Sequence, residues 1–395
     1  MGEIQKHKFN LKDKPGWLKI RTELANQGRL GGSDIGSAVG DNPYKSPYEL
    51  WCEMVGLYEP EDISEKEAIK QGVMFEAAVA ERFAKESGIG VEEVPYIFTN
   101  SDAPHLFATP DRLCLDGESG LECKTAKEIV MKKFPRGDFP QQYFDQCCCY
   151  LKVTERKRWY IAILIYGVSF NIYMMTTIKE EADRFNYLKG KVDGNEILTN
   201  DESHEWKSKN WIMAAYYVDS ETLDAVELAA ANFISRVEKG RQGDMDVWPL
   251  DEIDGSESTK RALNLINPKP KPDSVVTFDE ADEYGIQEDG KAFVDATGSE
   301  VCRLFKQRLE YDDTIKELKK EKEECDNKLA KIMADKEKFV LPEGSVTYKI
   351  REGNERANVK AVKSYFESRG ERVPIGLITK DEDSRGIRFY AKKRS

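Results

Sequence analysis

Asp111, Glu122 and Lys124 are the residues whose types and spacing could do chemistry. They lie in the segment Phe107-Ala-Thr-Pro-Asp111-Arg-Leu-Cys-Leu-Asp-Gly-Glu-Ser-Gly-Leu-Glu122-Cys123-Lys124. Pro110 sets Asp111 at the start of a strand. The Asp116-Gly117-Glu118-Ser119 stretch reads as a tight turn, and the returning strand brings Glu122 beside Asp111. Glu122 and Lys124, two apart on a strand, share one face, while Cys123 points the other way into the core. Two carboxylates and one ammonium then converge. Hard oxygen ligands suit Mg²⁺ or Mn²⁺. A lysine beside such an ion can hold or deprotonate a water, and the ion offsets the charge that grows on a phosphate under attack. Phosphodiester hydrolysis needs this set of parts. A Glu-x-Lys alone has no specificity; the Pro-Asp across a hairpin at matching distance gives it weight.

The elements that must position these groups are legible around them. Residues 105–115 and 120–125 read as two strands joined by the turn, and 94–98 as another. Residues 72–86 form an amphipathic helix with Phe75, Val79, Ala80 and Phe83 on one face, ended by Gly88. A second helix covers about 138–152. The apolar run Trp159–Tyr166 reads as a buried strand, 157–166 within its flanks, followed by a strand at 168–177 and a helix at 220–239. Gly31-Gly32-Ser33-Asp34 opens a short apolar helix. Ser46 is positioned as an N-cap, with Pro47 in the first helical position and Glu49 completing a capping box. Trp51 and Trp159 read as core residues. The pattern is α/β, a nearly contiguous β block flanked by helices.

Composition bounds what else the chain can be. The 395 residues suffice for one large domain or two to three ordinary ones, and 40% are hydrophobic. No run approaches a membrane span, and the charged N-terminus lacks a signal peptide's apolar segment, so a cytoplasmic location is expected. Eight cysteines have no repeated spacing and no Cys-x-x-Cys pair, which favours buried reduced thiols over disulfides or a cysteine-ligated metal. The net charge is −12, but residues 251–300 hold 13 acidic and 5 basic side chains, leaving about −4 for the remainder. Composition therefore neither supports DNA binding nor forbids a local basic groove.

The ordered motifs carry a family resemblance. Pro110-Asp111 followed by Glu122-Cys123-Lys124 resembles the PD-(D/E)XK nuclease signature. Upstream, Gly31-Gly32-Ser33-Asp34-Ile35-Gly36, Asn42-Pro43-Tyr44 and Ser46-Pro47-Tyr48-Glu49-Leu50-Trp51 resemble the YqaJ-type viral recombinase family, which contains phage lambda exonuclease-like enzymes. Gln71 to Glu76 matches that family's G-x-x-x-E segment. Tyr143-Phe-Asp-Gln146 with Tyr150-Leu-Lys-Val-Thr154 matches its glutamine helix. The resemblance covers about residues 15–240. It implies a restriction-endonuclease-like PD-(D/E)XK core, a central mixed β-sheet flanked by helices. By the same resemblance Asp111 and Glu122 would ligate Mg²⁺ or Mn²⁺ with the Cys123 carbonyl, and Glu76 would reach the metal or its waters. Lys124 would activate water and Gln146 would orient water or a phosphate. Ser33, Thr109 and an N-terminal arginine would hold a 5′-phosphate, with Gln142 a further DNA contact. The chain departs from the family pattern in three places. Arg21 fits Trp17, but the gap to Ser33 is expanded and Arg29 competes for the role. Cys148 stands where a second glutamine is usual. Thr109 replaces a serine and keeps the hydroxyl.

The resemblance implies a 5′→3′ exonuclease on double-stranded DNA ends, releasing 5′-phosphorylated nucleotides in phage or prophage recombination inside a bacterial cell. Single strands would pass to an annealing protein of the RecT/Beta-like kind, and a homo-oligomeric ring is implied. A Cas4-like nuclease keeps the fold, but its iron–sulfur cluster is at odds with the cysteine spacing; an inactive DNA-end-binding scaffold is the alternative from another class. This domain spans residues 1–248. Residues 249–297 read as an acidic, proline-containing linker. Residues 298–395 form a C-terminal accessory region, with a long charged helix at about 298–338 and strands at 344–351 and 386–391, ending in Lys392-Lys393-Arg394. On that helix Leu304, Tyr311, Ile315, Leu318, Cys325, Leu329 and Ile332 fall on a 3–4 spacing that Arg308 and Lys322 interrupt. A helical hairpin or packed arm is therefore expected over a long coiled coil.

Overall fold

The most apolar run of the sequence forms the middle of a six-stranded mixed sheet. The computed structural model describes residues 2–60, 64–132, 134, 138–267, 295–333, 336, 338–341, 344–347 and 369. The chain divides into two units, Met1–Pro268 and Lys269–Ser395. The first begins with β1 (Ile4–Lys8), α1 (Lys14–Asn26), β2 (Leu30–Gly31), α2 (Gly32–Val39), α3 (Pro47–Val55) and α4 (Glu67–Ser87). Then come β3 (Val91–Glu93), β4 (Tyr96–Asn100), β5 (Ala103–Ala108), β6 (Arg112–Cys114), β7 (Ser119–Ala126), α5 (Glu128–Met131) and α6 (Gln141–Thr154). The unit closes with β8 (Arg158–Ile165), β9 (Ser169–Thr176), α7 (Lys179–Asp193), α8 (Asn200–Lys209), β10 (Ala214–Tyr217), α9 (Ser220–Arg241) and α10 (Glu257–Ile266).

The large sheet has the order β10-β9-β8-β7-β6-β3, and a smaller one the order β1-β4-β5-β2. β7 and β8 run parallel, as do β9 and β10; the other pairs of the large sheet are antiparallel. The sheet is therefore mixed, as the resemblance implies. Helix α6 joins α2, α3 and α9 in one apolar cluster around Trp51, Tyr150 and Trp159. Residues from α4 and α7, among them Val79, Phe83 and Phe185, pack with Leu121 and Tyr160 in another. Alternation along β7 sends Leu121 and Cys123 to the α4 side and Glu122 and Lys124 toward α6. Both Trp51 and Trp159 are fully buried.

The β6–β7 hairpin is built by local chemistry. Asp116 Oδ1 accepts from the Glu118 and Ser119 N–H groups, and Gly117 sits at φ 77°, where a side chain would be strained. This fixes Arg112 opposite Leu121 and so places Asp111 level with Glu122.

The first unit extends past Trp248, where the sequence places the start of a linker. Ser256 caps α10, which packs on α3. Ser46 caps α3 through the Glu49 N–H as expected. The Glu49 side chain, however, does not complete a capping box. The Ser46 N–H donates to Ser258 Oγ at 2.7 Å, and the buried Glu49 carboxylate accepts from Arg261 at 2.7 and 3.1 Å and from Ser258. A tertiary partner displaces the local one because it also neutralises a buried charge. Pro268, Pro270, Pro272 and the rest of 268–294 lie outside the described residues.

The second unit holds α11 (Asp295–Met333), one continuous helix of 39 residues where a hairpin was an alternative, and an antiparallel pair β11 (Lys338–Leu341) and β12 (Gly344–Thr347). The strand expected at 386–391 and the basic tip at 392–394 lie outside the described residues. Among the described residues no helix is long and apolar enough to cross a membrane.

Removing Arg261 leaves the Glu49 charge buried without its counter-ion. Urea unfolding of Arg261→Ala in the full chain is expected to show a loss of about 1–3 kcal/mol, below the usual cost of breaking a fully buried pair because Arg261 is itself half exposed. An unchanged midpoint would mean that α10 is not fastened through this contact.

Candidate active site

Glu122 occupies an inner strand, in register with Ile161 of β8, and is buried. A carboxylate there needs partners. Lys124 Nζ donates to Glu122 Oε1 at 2.6 Å and to Gln146 Oε1 at 2.9 Å. Gln146 Nε2 donates to Glu122 Oε1 and to the Tyr150 hydroxyl, both at 2.8 Å. The Tyr150 hydroxyl donates to the Thr109 carbonyl at 3.0 Å. Gln146 and Tyr150 are one turn apart on α6 and so face the sheet together. Asp111 Oδ2 accepts from the Cys123 N–H at 2.8 Å, tying the start of β6 to β7. The Lys124 ammonium also lies 5.0 Å from the centre of the Tyr143 ring.

Glu76 reaches this cluster from α4 but is not free. Arg112 Nη1 donates to Glu76 Oε1 at 2.7 Å and to the Asp111 carbonyl at 2.6 Å. Burial, then the charges of Glu122 and Glu76, pushes the Asp111 carboxyl well above its ordinary range, against Lys124 and the Cys123 N–H. Burial also raises Glu122, against Lys124 and Gln146. For Lys124 burial acts downward, but Glu122 and Asp111 outweigh it and keep the ammonium protonated.

A second group gathers at the N-terminus of α2. Arg21 Nη1 donates to Thr109 Oγ1 and Nη2 to Ser33 Oγ, each at 3.2 Å, with Asp34 Oδ2 at 3.5 Å. Its guanidinium lies over Trp17 at 4.8 Å and Phe107 at 5.3 Å. Gly31 and Gly32 permit this. A Cβ at Gly31 would stand 2.8 Å from Phe107, and one at Gly32 would stand 2.5 Å from the Tyr150 ring. Gly31 is the N-cap and Ser33 lies within the first turn, so the serine hydroxyl is left to Arg21.

The structure thus brings Asp111, Glu122, Lys124 and Gln146 together, sets Glu76 against Arg112 at their edge, and joins Arg21, Ser33 and Thr109 through Thr109 to the same network. Arg29 is elsewhere: its guanidinium donates to the carbonyls of Leu106 at 3.1 Å and Ala103 at 3.4 Å, a brace on β5. Gln142 is not joined to Arg21 by a hydrogen bond. Its backbone and Cβ pack against Gly36, and its Oε1 is buried without a hydrogen-bond partner. Arg112 was missed by sequence reasoning, although its place directly after Asp111 was a signal. Tyr150 was given no role, although it stands four residues after Gln146.

The donor set fits a hard divalent cation. Glu122 Oε2 is buried with no hydrogen-bond partner. Burial and neighbouring carboxylates raise the proton affinity of Asp111 and Glu122, a surplus of negative charge that a cation would relieve. Among the described residues no three His, Cys, Asp or Glu side chains converge as ready-made ligands. The hydrogen bonds account for that, since Arg112 holds Glu76, the Cys123 N–H holds Asp111, and Lys124 with Gln146 holds one oxygen of Glu122.

Residues 16–157 match the sequence profile of the family described as the YqaJ-like viral recombinase domain. The chain is 29% identical over 210 residues to the uncharacterized protein YqaJ of Bacillus subtilis (strain 168), a match covering 51% of this chain and 65% of that relative. The crystal structures of LHK-Exo in complex with dAMP and of an alkaline exonuclease (LHK-Exo) from Laribacter hongkongensis superpose with TM-scores of 0.37 and 0.38. Each covers 57% of this chain and 95% of its own, at 15% and 16% identity.

Asp145, next to Gln146 on α6, is a buried carboxyl on the side of α2. Its Oδ1 accepts from Gln141 at 3.0 Å, and burial together with the neighbouring Asp41 carboxyl pushes it up to about 7. A carboxyl whose folded value lies above its unfolded value of about 3.9 favours the folded state fully below that lower value, and the contribution is lost as pH rises through 7. Asparagine cannot ionise. Thermal unfolding is therefore expected to show Asp145→Asn gaining on the wild type as pH rises from about 5 to 8. A difference independent of pH would exclude a protonated Asp145 from the fold.

Proposed function

From the match of residues 16–157 to the YqaJ-like viral recombinase domain, we propose that the chain is a metal-dependent deoxyribonuclease acting at the ends of linear duplex DNA in recombination. The observation that supports this reading best is the pairing of two groups within one hydrogen-bond network. The Asp111–Glu122–Lys124–Gln146 cluster suits phosphodiester hydrolysis, and the Arg21–Ser33–Thr109 cluster suits a terminal phosphate. Arg21 offers two N–H donors beside two hydroxyls at a helix N-terminus, which is favourable for an anion. A DNA end held there presents its phosphate backbone to the carboxylate cluster, and the protein reads the end by shape and charge instead of base identity.

Asp111, Glu122 and the Cys123 carbonyl would hold Mg²⁺ or Mn²⁺, with Glu76 available once Arg112 releases it. The ion would supply charge neutralisation at the phosphate and a more acidic water. This chain's own residues do the rest. Lys124, an ammonium beside Glu122, holds the attacking water by donating an N–H to it. It can take that water's proton only after releasing one of its own to solvent, a loss that a cation on Glu122 would favour by replacing the ammonium as counter-charge. Gln146 holds that water or a phosphate oxygen in line. Arg21 fixes the end so that the first phosphodiester is the one presented, which corresponds to 5′→3′ polarity and 5′-phosphorylated products. The single strand left behind would be taken up by a single-strand annealing protein, and a ring of identical subunits would keep the enzyme on its substrate.

Linear duplex DNA labelled at either 5′ or 3′ ends, with Mg²⁺ or with EDTA, tests the reading. Release of 5′-end label with Mg²⁺ is expected, with Lys124→Ala slowed about 10²- to 10⁴-fold. Duplex ends bound but uncut with every divalent metal would make the protein an end-binding scaffold. Arg21→Ala is expected to lose most of any preference for 5′-phosphorylated over 5′-hydroxyl ends, about tenfold, while Arg29→Met keeps it and unfolds more readily. An unaltered preference in Arg21→Ala would remove the phosphate role from that cluster.

A further inference from the structure

The heptad face of α11 has no place in the chemistry above. From Val301 to Ile332 every position alternates by three and four residues: Val301, Leu304, Arg308, Tyr311, Ile315, Leu318, Lys322, Cys325, Leu329 and Ile332. On one unbroken helix this spacing makes a single stripe along one face. Its seven large apolar side chains are 39–70% exposed. The remainder of the helix is charged and carries its own ion pairs, Arg303 with Glu300 and Lys316 with Asp313, while Arg308 of the stripe pairs with Asp312 at its border. A stripe of this length left to solvent on an otherwise well-solvated helix marks an interaction surface.

We propose that this stripe is an interface between two copies of the chain, with their α11 helices packed antiparallel. The charges on the stripe and its borders select both the partner and the direction. In a parallel pair each seam position meets itself. Lys322 would face Lys322 of the second copy, Arg308 would face Arg308, and Glu321 on the border would lie beside Asp326 of the second copy. Three like-charged contacts would recur along one interface. Antiparallel packing at full overlap removes them. Ile315 then meets Leu318 of the second copy at the centre, Leu304 meets Leu329, and Val301 meets Ile332. Lys322 meets the ring of Tyr311, a favourable ammonium–aromatic contact, and Arg308 meets Cys325. On the border Asp312 lies at nearly the level of Lys319 of the second copy, opposite in charge. A copy of the same helix thus satisfies every seam position without a like-charged layer.

Cysteine pairing in the full-length chain reads the arrangement directly. Cys325 is exposed. A parallel pair sets it against its own counterpart, whereas the antiparallel pair separates the two by 17 residues, about 26 Å along the helix. Ile315→Cys and Leu318→Cys are made separately in a Cys325→Ser background, mixed, oxidised, and the disulfides mapped by peptide mass. The expected result is a link between position 315 of one copy and 318 of the other, with no Cys325–Cys325 link in the oxidised wild type. A Cys325–Cys325 link would overturn the antiparallel arrangement. Absence of a link at both pairs would overturn self-pairing through this face, even if the chain is oligomeric by other contacts.

Discussion

Burying the Glu122 carboxylate on an inner strand of a mixed sheet is the constraint from which much of the first unit follows. A charge taken out of water costs several kcal/mol unless it is paired and hydrogen-bonded. Lys124 supplies the charge from two residues further along the strand, and Gln146 supplies a donor from α6. That requires α6 to lie directly over β7 and β8, which the small side chains of its three consecutive cysteines and the closely packed Tyr150–Trp159 pair allow. Gly120 belongs to the same solution: a Cβ there would stand 2.4 Å from the Trp159 ring, so the strand is bare where the indole must lie.

The arrangement is poised instead of relaxed. Asp111, Glu122 and Glu76 crowd negative charge into one corner, and the fold answers with Lys124 and Arg112. Each cation occupies a carboxylate oxygen that a metal ion would also use. Under the proposed function these two cationic side chains would be place-holders, and a metal taken up here would exchange one set of positive charges for another. Such an exchange avoids the penalty of leaving a buried carboxylate bare, the costliest state available to this site.

Much of this was legible in the sequence because the determinants are local. The β6–β7 hairpin is fixed by Asp116 and Gly117 inside the turn, so the juxtaposition of Asp111 and Glu122 followed from spacing alone. The same holds for the helix ended by Gly88 and for the apolar strand at Trp159. What was not legible depends on groups far apart in the chain. The choice between Arg21 and Arg29 turns on which one meets Thr109, 88 residues from Arg21, and which one meets the carbonyls of β5. Glu49 was read as a local cap because its spacing from Ser46 permits one, yet Arg261, 212 residues away, takes it. Arg112 escaped notice because an arginine beside an aspartate in sequence points to the opposite face of a strand; it reaches Asp111 through the backbone carbonyl, which side-chain patterning does not register. For α11 the seam spacing was visible, but whether it folds back on itself is decided by continuity of the helix, which no single residue encodes.

The Tyr150 hydroxyl gives the network a direction. It donates to a backbone carbonyl, which can only accept, so it must itself accept from Gln146. The Gln146 amide then has one permitted orientation, nitrogen toward Glu122 and oxygen toward Lys124. Every proton from Thr109 to Lys124 is thereby assigned, anchored at one end by a peptide group that cannot tautomerise. A network with a single proton arrangement has little configurational entropy left to lose when a substrate arrives. It also cannot pass a proton along its length without reversing every bond in turn. The two clusters are mechanically joined through Tyr150 but isolated from one another as proton reservoirs, so the Arg21–Ser33–Thr109 end can be rigidly placed without drawing on the acid–base state of the lysine.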